Sequence, residues 1–504
     1  MDLVVKPIIM NNGETHQPLI TDETLESRVV DMPSDEQNAQ VKKKIIFGYS
    51  LGHVFNDMCA SMWFTYLLLY LEKVVKMVSW RAGLLMLIGQ ATDAIATPII
   101  GLISDSRILP HSIVKYGQRM PWHFVGFLLV AFSFPFVFNK CLLCDSSTKE
   151  AWEVVYYIPL IMAFQIGWAS VQVNHLALIQ TITTQESCRR TLSSSRLAAA
   201  VVANVTVYTV LYLFFRYDRG DELIGPADLS HFRNLALMVV AVGVVITFGF
   251  YYMVRDPPPE HYGVHDFVPP PITIGPCDYL KMPRFYTVGL IYMLSRLYGN
   301  FSQVYFPLYL TMTLGMGKLY LGLLPLLSYV FAFAVYSITT SRCVHDRIGK
   351  GTLLLCGGIM AIITTILLYL PLPKWTVFIT AATLGIAQSM FLTSAFNFCH
   401  LLADKDAGSS AFIYGSMSFV DKLSNGIIFQ IIEIINPSCN PNVDHKECAA
   451  FYKNIMVYIP GACAGILVAF SLYLVFRRLR IKIYFVQRQQ NDQRLLLERN
   501  IDAD

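Results

Sequence analysis

The chain has 504 residues, of which 54% are hydrophobic and 15% are charged, and its formal net charge is +4. Soluble domains usually carry about 25% charged residues, so this composition indicates a protein that resides in a lipid bilayer. The sequence contains no basic stripe interleaved with aromatic residues and no nucleophile–base set, phosphate-binding loop or metal-ligand cluster. It therefore predicts no nucleic-acid partner, no enzymatic activity, no cofactor and no metal site.

The first 43 residues differ in character from the rest of the chain. They are polar and acidic, contain Pro7, Pro18 and Pro33, and show no sustained periodicity, which is typical of a disordered segment. They also lack the apolar stretch of a cleavable signal peptide. We predict a disordered cytosolic tail over residues 1–43, with membrane targeting supplied by the first spanning helix.

Twelve predominantly apolar runs follow, each about as long as the twenty residues that a helix needs to cross a bilayer. A proline-rich segment over residues 255–283 cannot form a continuous helix and divides the runs into two groups of six. We therefore predict an all-α membrane protein with twelve transmembrane helices, six in a bundle over residues 44–254 and six in a bundle over residues 284–476. The runs lie near residues 45–71, 80–104, 121–140, 152–180, 193–215, 231–254, 284–312, 319–340, 352–372, 375–400, 408–435 and 452–476.

The distribution of basic residues predicts the orientation, because cytosolic loops carry an excess of lysine and arginine. Basic residues precede the first run and follow the second, fourth, eighth and twelfth, all on one side of a twelve-helix bundle. The linker over residues 255–283, the tail over residues 477–504 and both termini are therefore predicted to be cytosolic. The residues concerned are Lys42, Lys43, Lys44, Arg107, Lys115, Arg119, Arg189, Arg190, Arg196, Arg342, Arg347, Lys350, Arg477, Arg478, Arg480 and Lys482.

Two aspartates lie inside the apolar runs. Asp93 occupies the run LLMLIGQATDAIATPIIGLI, where an ionisable group costs about 2.5–3.5 kcal/mol on insertion scales. Such a group is kept when it binds an ion, carries a proton or pairs with a buried cation, so Asp93 is predicted to couple transport to an ion or proton. Asp57, in the first run, is either a functional acid or a packing residue that is hydrogen-bonded to Asn56 or His53.

Two cations inside the second group of runs complement these acids. Lys422 follows Asp421, and adjacent helical residues differ in direction by about 100°, so the two cannot face one partner. Lys422 is predicted to pair with Asp93 or Asp57 in the empty carrier and with substrate in the loaded one, or else to form a permanent structural pair. Arg296 shares a helical face with Asn300 and either lines a cavity or extends towards the membrane surface.

The loops after the second and eighth runs resemble each other. Each carries an acid and cations: Asp105 and Arg119 in the first, Asp346 and Arg347 in the second. Pairs of this kind can bridge neighbouring helix ends in one conformation and separate in the other. We predict a gating latch at these four residues, the alternative being ordinary cytosolic positive charge.

Four short runs together resemble one branch of a transporter superfamily. They are GHVFNDM, TDAIATPIIG, YGQRMPW and FVDKLSNG, and they resemble the glycoside-pentoside-hexuronide:cation symporter branch of the major facilitator superfamily. The resemblance covers about residues 44–480 and implies the major facilitator fold, with a substrate site near the midplane between the two bundles. It also implies a substrate contact at Asp57 and a coupling role at Asp93.

A narrower resemblance rests on the runs GHVFNDMCASMWFTYLLLYLEKVV and SFVDKLSNG. They are similar to a group of lysosomal and melanosomal membrane proteins of this branch, which implies cysteine import into those organelles and a link to pigmentation. Composition and spacing alone do not indicate cysteine. A solute of this kind would need a cation for its carboxylate and an acid for its ammonium group, and the bundle supplies both.

Two positions depart from the pattern of the sugar symporters. Thr97 and Gln172 stand where those proteins carry carboxylates, and neutral oxygens make a weaker sodium site than carboxylates do. The resemblance therefore leaves proton coupling through Asp93 open and makes sodium coupling doubtful. The predicted substrate-binding residues are Asp57, Gln172, Arg296, Asn300 and Lys422.

Cysteines and the C-terminal tail add two further predictions. Cys141 and Cys144 lie in one non-cytosolic loop and Cys439 and Cys448 in another, and an oxidising lumen would allow a bridge, most readily between Cys439 and Cys448. In the tail, DQRLLL from Asp492 to Leu497 has the acidic dileucine form, with Leu496 and Leu497 as its leucines. A clathrin adaptor would read this motif and sort the protein to lysosomes.

The leading hypothesis is thus a carrier that moves a small polar solute across an organelle membrane. Two alternatives remain at this point, a sugar or lysolipid symporter and a non-transporting membrane scaffold that acts through its tails. Loss of the two acids disfavours the first, and retention of charges within the bundle disfavours the second.

Overall fold

In a computed structural model of the protein, the structure describes residues 42–106, 110, 113, 115–145, 147–183, 185–218, 220–256, 276–341, 349–403, 410–437 and 445–501. Within the last helix the side chains are described as far as Phe476. Every regular element in these ranges is helical.

The helices occur in two sets that we call the first half (α1–α7) and the second half (α8–α13). The first crossing is divided into α1 and α2, and each later predicted run corresponds to one helix, so the predicted all-α membrane fold is confirmed. The bounds are α1 Lys43–Leu51, α2 Val54–Leu69, α3 Ser79–Asp105, α4 Met120–Val137, α5 Glu150–Ile182, α6 Glu186–Tyr217, α7 Leu229–Met253, α8 Pro283–Met312, α9 Leu319–Thr340, α10 Lys350–Tyr369, α11 Val377–Ala403, α12 Ser410–Ile435 and α13 His445–Ile501. Short helical segments cover Tyr70–Val74, Pro226–Asp228, Pro276–Leu280 and Lys374–Thr376.

Two of these bounds bear on the predicted tails and linker. The short helix Pro276–Leu280 lies within the predicted linker, and residues 257–275 lie outside the described residues. The last helix, α13, continues to Ile501, well into the segment predicted as a tail. The boundaries of the five predicted regions therefore stay predictions.

Nine helical segments among the described residues are long and apolar enough to cross a membrane. The helices α2, α8 and α12 are not among them, α2 because it has only 16 residues. These three helices carry Asp57, Arg296 and Lys422.

The break between α1 and α2 is required by close packing against α5. The ring of His175 stacks on Tyr49 with centroids 4.2 Å apart, and a Cβ atom placed on Gly52 would lie 2.7 Å from that His175 ring. A side chain at Gly52 would therefore displace the imidazole. The break brings His53 and Asp57 into the interior of the first half.

Three helix pairs join the halves: α3 with α12, α6 with α9, and α2 with α8. Close approach of α6 and α9 depends on Gly322, because a Cβ atom there would lie 2.7 Å from the backbone nitrogen of Tyr212. These pairings enclose a central space between the halves, which is where substrate sites of major facilitator folds lie.

The bundle has two ends, which we name after residues. At the Arg119 end, the backbone N–H of Arg119, between α3 and α4, donates to Asp256 Oδ2 at 2.6 Å, just after α7. At the Lys318 end, the backbone N–H of Lys318, between α8 and α9, donates to the Glu222 carbonyl at 2.8 Å, between α6 and α7. Contacts at the Lys318 end therefore join the two halves.

Candidate functional site

A salt bridge between Asp93 and Lys422 joins the two halves near the middle of α3 and α12. The Lys422 ammonium lies 2.7 Å from Asp93 Oδ1 and donates to Thr97 Oγ1 at 2.8 Å. Thr97 lies one turn after Asp93 and donates its hydroxyl to the Asp93 carbonyl at 2.8 Å. Only 7% of the Asp93 side chain and 13% of the Lys422 side chain are exposed. Of the two acids considered as partners for Lys422, the structure brings Asp93 to it.

The neighbouring residue Asp421 is buried and forms a second ion pair, with the half-buried Arg296 of the second half. Arg296 Nε donates to Asp421 Oδ2 at 2.9 Å, and Asn425 Nδ2 donates to Asp421 Oδ1 at 2.7 Å. Asn300, one turn from Arg296 on α8, is also buried. Adjacent residues on α12 thus bind opposite halves of the bundle, as their helical directions require.

Asp57 belongs to a chain of three polar side chains in the first half. His53 Nδ1 lies 2.9 Å from Asp57 Oδ1, and the Arg196 guanidinium lies 3.1 and 3.3 Å from the two His53 ring nitrogens. The tautomer with a proton on Nδ1 lets His53 donate to Asp57 and accept from Arg196 at Nε2, and the contact of Arg196 with Nδ1 is then not a hydrogen bond. Asp57 Oδ2 and Arg196 Nε have no hydrogen-bond partner.

Gln172 accepts a hydrogen bond from Trp168 Nε1 at 3.2 Å within α5. It is half-buried. The structure thus places the five predicted substrate-binding residues in several separate groups: Asp57 with His53, Gln172 with Trp168, Arg296 with Asp421 and near Asn300, and Lys422 with Asp93.

A cavity of about 280 Å³ lies between α6 of the first half and α8, α9 and α11 of the second half. Among the described residues that line it, Arg196 alone bears a formal charge. Ser302 and Ser389 also line it, and their hydroxyl oxygens are buried without a hydrogen-bond partner. None of the five predicted substrate-binding residues lines this cavity. The other lining side chains include Tyr208, Gln303, Phe306, Ser328, Tyr329, Phe333, Tyr336, Gln388 and Phe396.

The cavity is closed towards the Lys318 end by polar contacts between the halves. Gln303 Nε2 on α8 donates to Thr65 Oγ1 at 3.0 Å and to Tyr208 Oη at 3.2 Å, both in the first half. From Tyr208 the cavity extends along α6 to Arg196, about 18 Å nearer the Arg119 end at 1.5 Å per helical residue. It therefore lies across the middle of the bundle, with Arg196 on the side of the Arg119 end.

A further ionic cluster closes the Lys318 end itself. Lys318 Nζ lies 2.8 Å from Asp228 Oδ1 and 3.1 Å from Asp218 Oδ2, and His231 contacts both carboxylates at 3.3 and 3.4 Å. Burial lowers the pKa of Lys318, but its hydrogen bonds to Asp228 and Asp218 outweigh this effect and raise that pKa. The ligand atoms of Asp218, Asp228 and His231 are close enough to hold a metal ion. The Lys318 ammonium supplies the compensating positive charge from the other half.

Of the four predicted latch residues, the structure describes Asp105 and Arg119. Arg119 forms an ion pair with Asp105 and donates from NH1 to Ser104 Oγ at 2.8 Å. These contacts all lie at the Arg119 end of the first half. Asp346 and Arg347 lie outside the described residues, so the symmetric latch stays a prediction.

The structure describes one disulfide in full. Cys141 and Cys144 are bridged, and the predicted bridge between Cys439 and Cys448 stays a prediction. Cys448 is itself disulfide-bonded, and Cys439 lies outside the described residues. The short spacing in CLLC leads to a bridge because the turn between α4 and α5 brings the two Cα atoms to 5.4 Å, within the usual range for disulfides.

Comparison with known proteins assigns the chain to a family. The family model described as MFS/sugar transport protein matches residues 48–427, about three quarters of the sequence. The chain belongs to this family. It is therefore a multi-pass membrane transporter of the major facilitator superfamily, and it is not an enzyme.

Similar proteins support the same assignment. The human major facilitator superfamily domain-containing protein 12 is 36% identical over 461 residues, which cover 86% of this chain and 93% of that protein. The horse protein of the same name is 36% identical over 84% of this chain and 91% of its own length. The partially occluded inward-open structure of the xylose transporter XylE from E. coli has a TM-score of 0.61 at 13% identity, covering 86% of this chain and 97% of that one. That structure shares the fold.

Sequence reasoning missed Arg196 as a site residue. Its position after the fourth run placed it among the cytosolic positive charges. The sequence did contain an indication, because Arg196 lies inside the apolar run near residues 193–215. An arginine that extends to the membrane surface has the same sequence context as an arginine that lines a cavity, so this indication does not distinguish the two. The sequence interpretation also did not identify three further polar residues of the bundle, because each lies near the end of an apolar run. They are Glu72, Lys318 and Glu433.

Proposed function

We propose that this protein is a secondary transporter that moves a small solute bearing a carboxylate, by resemblance cysteine, across the lysosomal and melanosomal membrane by alternating access. The observation that supports this function best is the cavity between the halves, with Arg196 as its one charged described lining residue and with contacts between the halves closing it at the Lys318 end. A cavity of about 280 Å³ lies just below the usual range for small-molecule sites, which favours a small solute.

The predicted orientation in the membrane assigns the two ends of the bundle to the cytosol and the lumen. With both termini in the cytosol, the Arg119 end faces the cytosol and the Lys318 end faces the lumen. The described conformation then has its luminal side closed and its cavity at the middle of the bundle, with Arg196 on the cytosolic side of the cavity. The alternate conformation requires the contacts at the Lys318 end to separate, while the helix ends near Asp105, Arg119, Asp346 and Arg347 come together.

Recognition of the solute follows from the chemistry of the lining. Arg196 supplies a cation for a carboxylate, because charge-assisted hydrogen bonds are roughly twice as strong as neutral ones. The hydroxyl groups of Ser302 and Ser389 lack partners and are available to further polar atoms of the solute. Asp57 acts as a positioning residue, since it holds His53, which contacts Arg196.

Coupling is proposed at Asp93. In the described conformation Lys422 and Thr97 surround its carboxylate, and no second carboxylate stands at position 97. A buried acid that exchanges an ammonium partner for a proton changes its charge environment without sodium. We propose proton exchange at Asp93 when the halves separate along α3 and α12.

Uptake into isolated lysosomes tests this function. We expect radiolabelled cysteine to enter faster than cystine or a disaccharide, because the cavity is small and carries a single cation. Replacement of sodium by choline should leave uptake within twofold, since Thr97 and Gln172 replace the carboxylates of a sodium site. Lysosomes from cells that lack the protein are the control.

Two outcomes would favour the alternatives. Sodium-dependent uptake of a disaccharide or a lysolipid in preference to cysteine would support a sugar or lysolipid symporter. Absence of protein-dependent uptake for every solute, with the protein correctly located, would support the non-transporting scaffold.

Lysosomal localisation is proposed to depend on the tail, where Asp492, Leu496 and Leu497 lie within α13. We expect Leu496→Ala with Leu497→Ala to redistribute most of the protein to the plasma membrane, because a clathrin adaptor binds paired leucines in an apolar pocket. Surface biotinylation measures the redistribution, and Leu495→Ala in the same run is the matched control. Equal surface fractions for the double variant and the wild type would remove this motif from the sorting pathway.

A further inference from the structure

A buried cluster of polar side chains lies at the Lys318 end, apart from the cavity and from the Asp93–Lys422 pair. It is centred on two carboxyl groups, Glu72 from the first half and Glu433 on α12 from the second half. Glu72 lies in the π-helical turn Tyr70–Val74, a type of distortion that is frequent at functional sites. The titratable and hydrogen-bonding groups around the two carboxyls include Lys73, Ser79, Tyr305, Asn436 and Tyr452.

Both glutamates are removed from solvent, with 5% of Glu72 and 1% of Glu433 exposed. One amide nitrogen contacts both carboxyl groups: Asn436 Nδ2 lies 2.7 Å from Glu433 Oε2 and 3.2 Å from Glu72 Oε1. The contacts between the halves at this point therefore bring two acids close together.

The remaining groups each contact one of the two carboxyls, and Tyr452, on α13 of the second half, contacts Glu72 of the first half. Tyr305 donates its hydroxyl to Glu433 Oε1 at 2.7 Å, and Tyr452 donates to Glu72 Oε2 at 2.8 Å. Lys73 Nζ lies 3.4 Å from Glu72 Oε2. Lys73 is the one cation among these groups, so it compensates one ionised carboxylate and leaves the second uncompensated.

Two ionised carboxylates cannot hydrogen-bond, because each is only an acceptor. At this separation, and away from water, like charges cannot both remain ionised, and such a pair shares one proton. With one shared proton, Glu72, Glu433 and Lys73 together carry no net charge. The closed arrangement thus contains a proton that the sequence alone does not indicate.

We propose that Glu72 and Glu433 form a proton-binding site between the two halves, and that the bound proton holds the Lys318 end of the transporter closed. The inference rests on the proposed alternating access, with the Lys318 end facing the lumen. When that end opens, the two acids separate into water, where a glutamate ionises with a pKa of about 4.3. The closed form then holds one proton more than the open form.

The direction of the effect follows from that difference. A form that holds an extra proton is favoured by acid, by up to tenfold per pH unit for one proton. Falling luminal pH therefore shifts the carrier towards the conformation that faces the cytosol. The proton is taken up from the luminal side and remains sealed there, so it regulates the cycle and is distinct from a proton carried with the solute.

The conformational equilibrium can be measured without any transported solute, so this test can fail while the proposed function stands. Spin labels on non-natural amino acids at Leu223 and Trp375 report the separation of the halves, because both side chains are exposed, at 57% and 63%, in the connections between long helices at the Lys318 end. In nanodiscs, pulsed electron paramagnetic resonance should show a closed-to-open ratio at least tenfold higher at pH 5 than at pH 8.

Single substitutions connect this response to the two acids. In Glu433→Gln the amide N–H replaces the shared proton, so the Lys318 end should stay closed at pH 8 as well as at pH 5. Glu72→Gln makes the same prediction from the other half and serves if the first variant fails to fold. Glu150→Gln is the matched control: Glu150 lies at the same end but binds Val78 and Arg81 of its own half, and the pH response should persist.

His231 contacts Asp218 and Asp228 at the same end, and His231→Asn should also keep the response. Three results would overturn the proposal: a wild-type ratio that does not change between pH 5 and 8, a full response in both glutamine variants, or a response that disappears in His231→Asn alone.

Discussion

Lys422→Ala is expected to abolish solute uptake while the protein is still made and inserted. Removal of one partner of a buried ion pair costs about 3–5 kcal/mol, because it leaves the other charge uncompensated. Here the charge left behind is Asp93, which has only Thr97 as a remaining side-chain donor. Lys422→Arg should recover little, since a planar guanidinium does not replace a compact ammonium. Asp93→Asn should also lose uptake, because the amide cannot exchange an ammonium partner for a proton.

Uptake into lysosomes and protein abundance are measured together, so that loss of transport is separated from loss of protein. The double variant Lys422→Ala with Asp93→Asn should cost less in substrate affinity than the sum of the single changes, because the two groups touch. Lys422→Ala with Asp57→Asn should be additive, because His53 is the partner of Asp57. Additive losses in the Asp93 double variant, or near-normal uptake in Asp93→Asn, would mean that this bridge has no role in the transport cycle.

Arg196→Ala is expected to weaken binding of a carboxylate solute by at least about tenfold. Hydrogen bonds to charged groups contribute about 1.5–3 kcal/mol, and each 1.4 kcal/mol is a factor of ten. The sharpest readout compares cysteine with cysteamine, which has the same thiol and amine but no carboxylate. The wild type should be inhibited much more strongly by cysteine, and Arg196→Ala should lose most of that discrimination.

A matched control lies on the same helix. Arg216, at the opposite end of α6, is exposed and is absent from the cavity lining, so Arg216→Ala should leave the preference for cysteine unchanged. Asp57→Asn should reduce the preference by less than Arg196→Ala, because Asp57 acts through His53. Unaltered discrimination in Arg196→Ala would show that the carboxylate is bound elsewhere, for example at Arg296.

The fold and part of the site could be predicted from the sequence because the relevant signals are local. Apolar runs about twenty residues long define the helices, and a charge within such a run must find a partner. Asp93 and Lys422 were identified in this way, and the 100° step between Asp421 and Lys422 correctly indicated separate partners.

The rest of the site depends on tertiary structure. Arg196 has the same local pattern whether it lies near the membrane surface or in a cavity, and only the packing of α6 against α9 decides between the two. Glu72 and Glu433 are 361 positions apart, each near the end of an apolar run, where an acid is unremarkable. Their encounter requires both halves to be assembled.

The ion pairs of Asp421 and Lys422 also determine which helices move together with α12. Asp421 ties α12 to Arg296 on α8 within one half, whereas Lys422 ties the same turn of helix to α3 in the other half. A rocking motion between rigid halves preserves the first link and breaks the second. The ion pair that is kept during such a motion and the ion pair that is broken by it thus come from adjacent residues. An insertion of a single residue between positions 421 and 422 would rotate one of these two side chains away from its partner by about 100°.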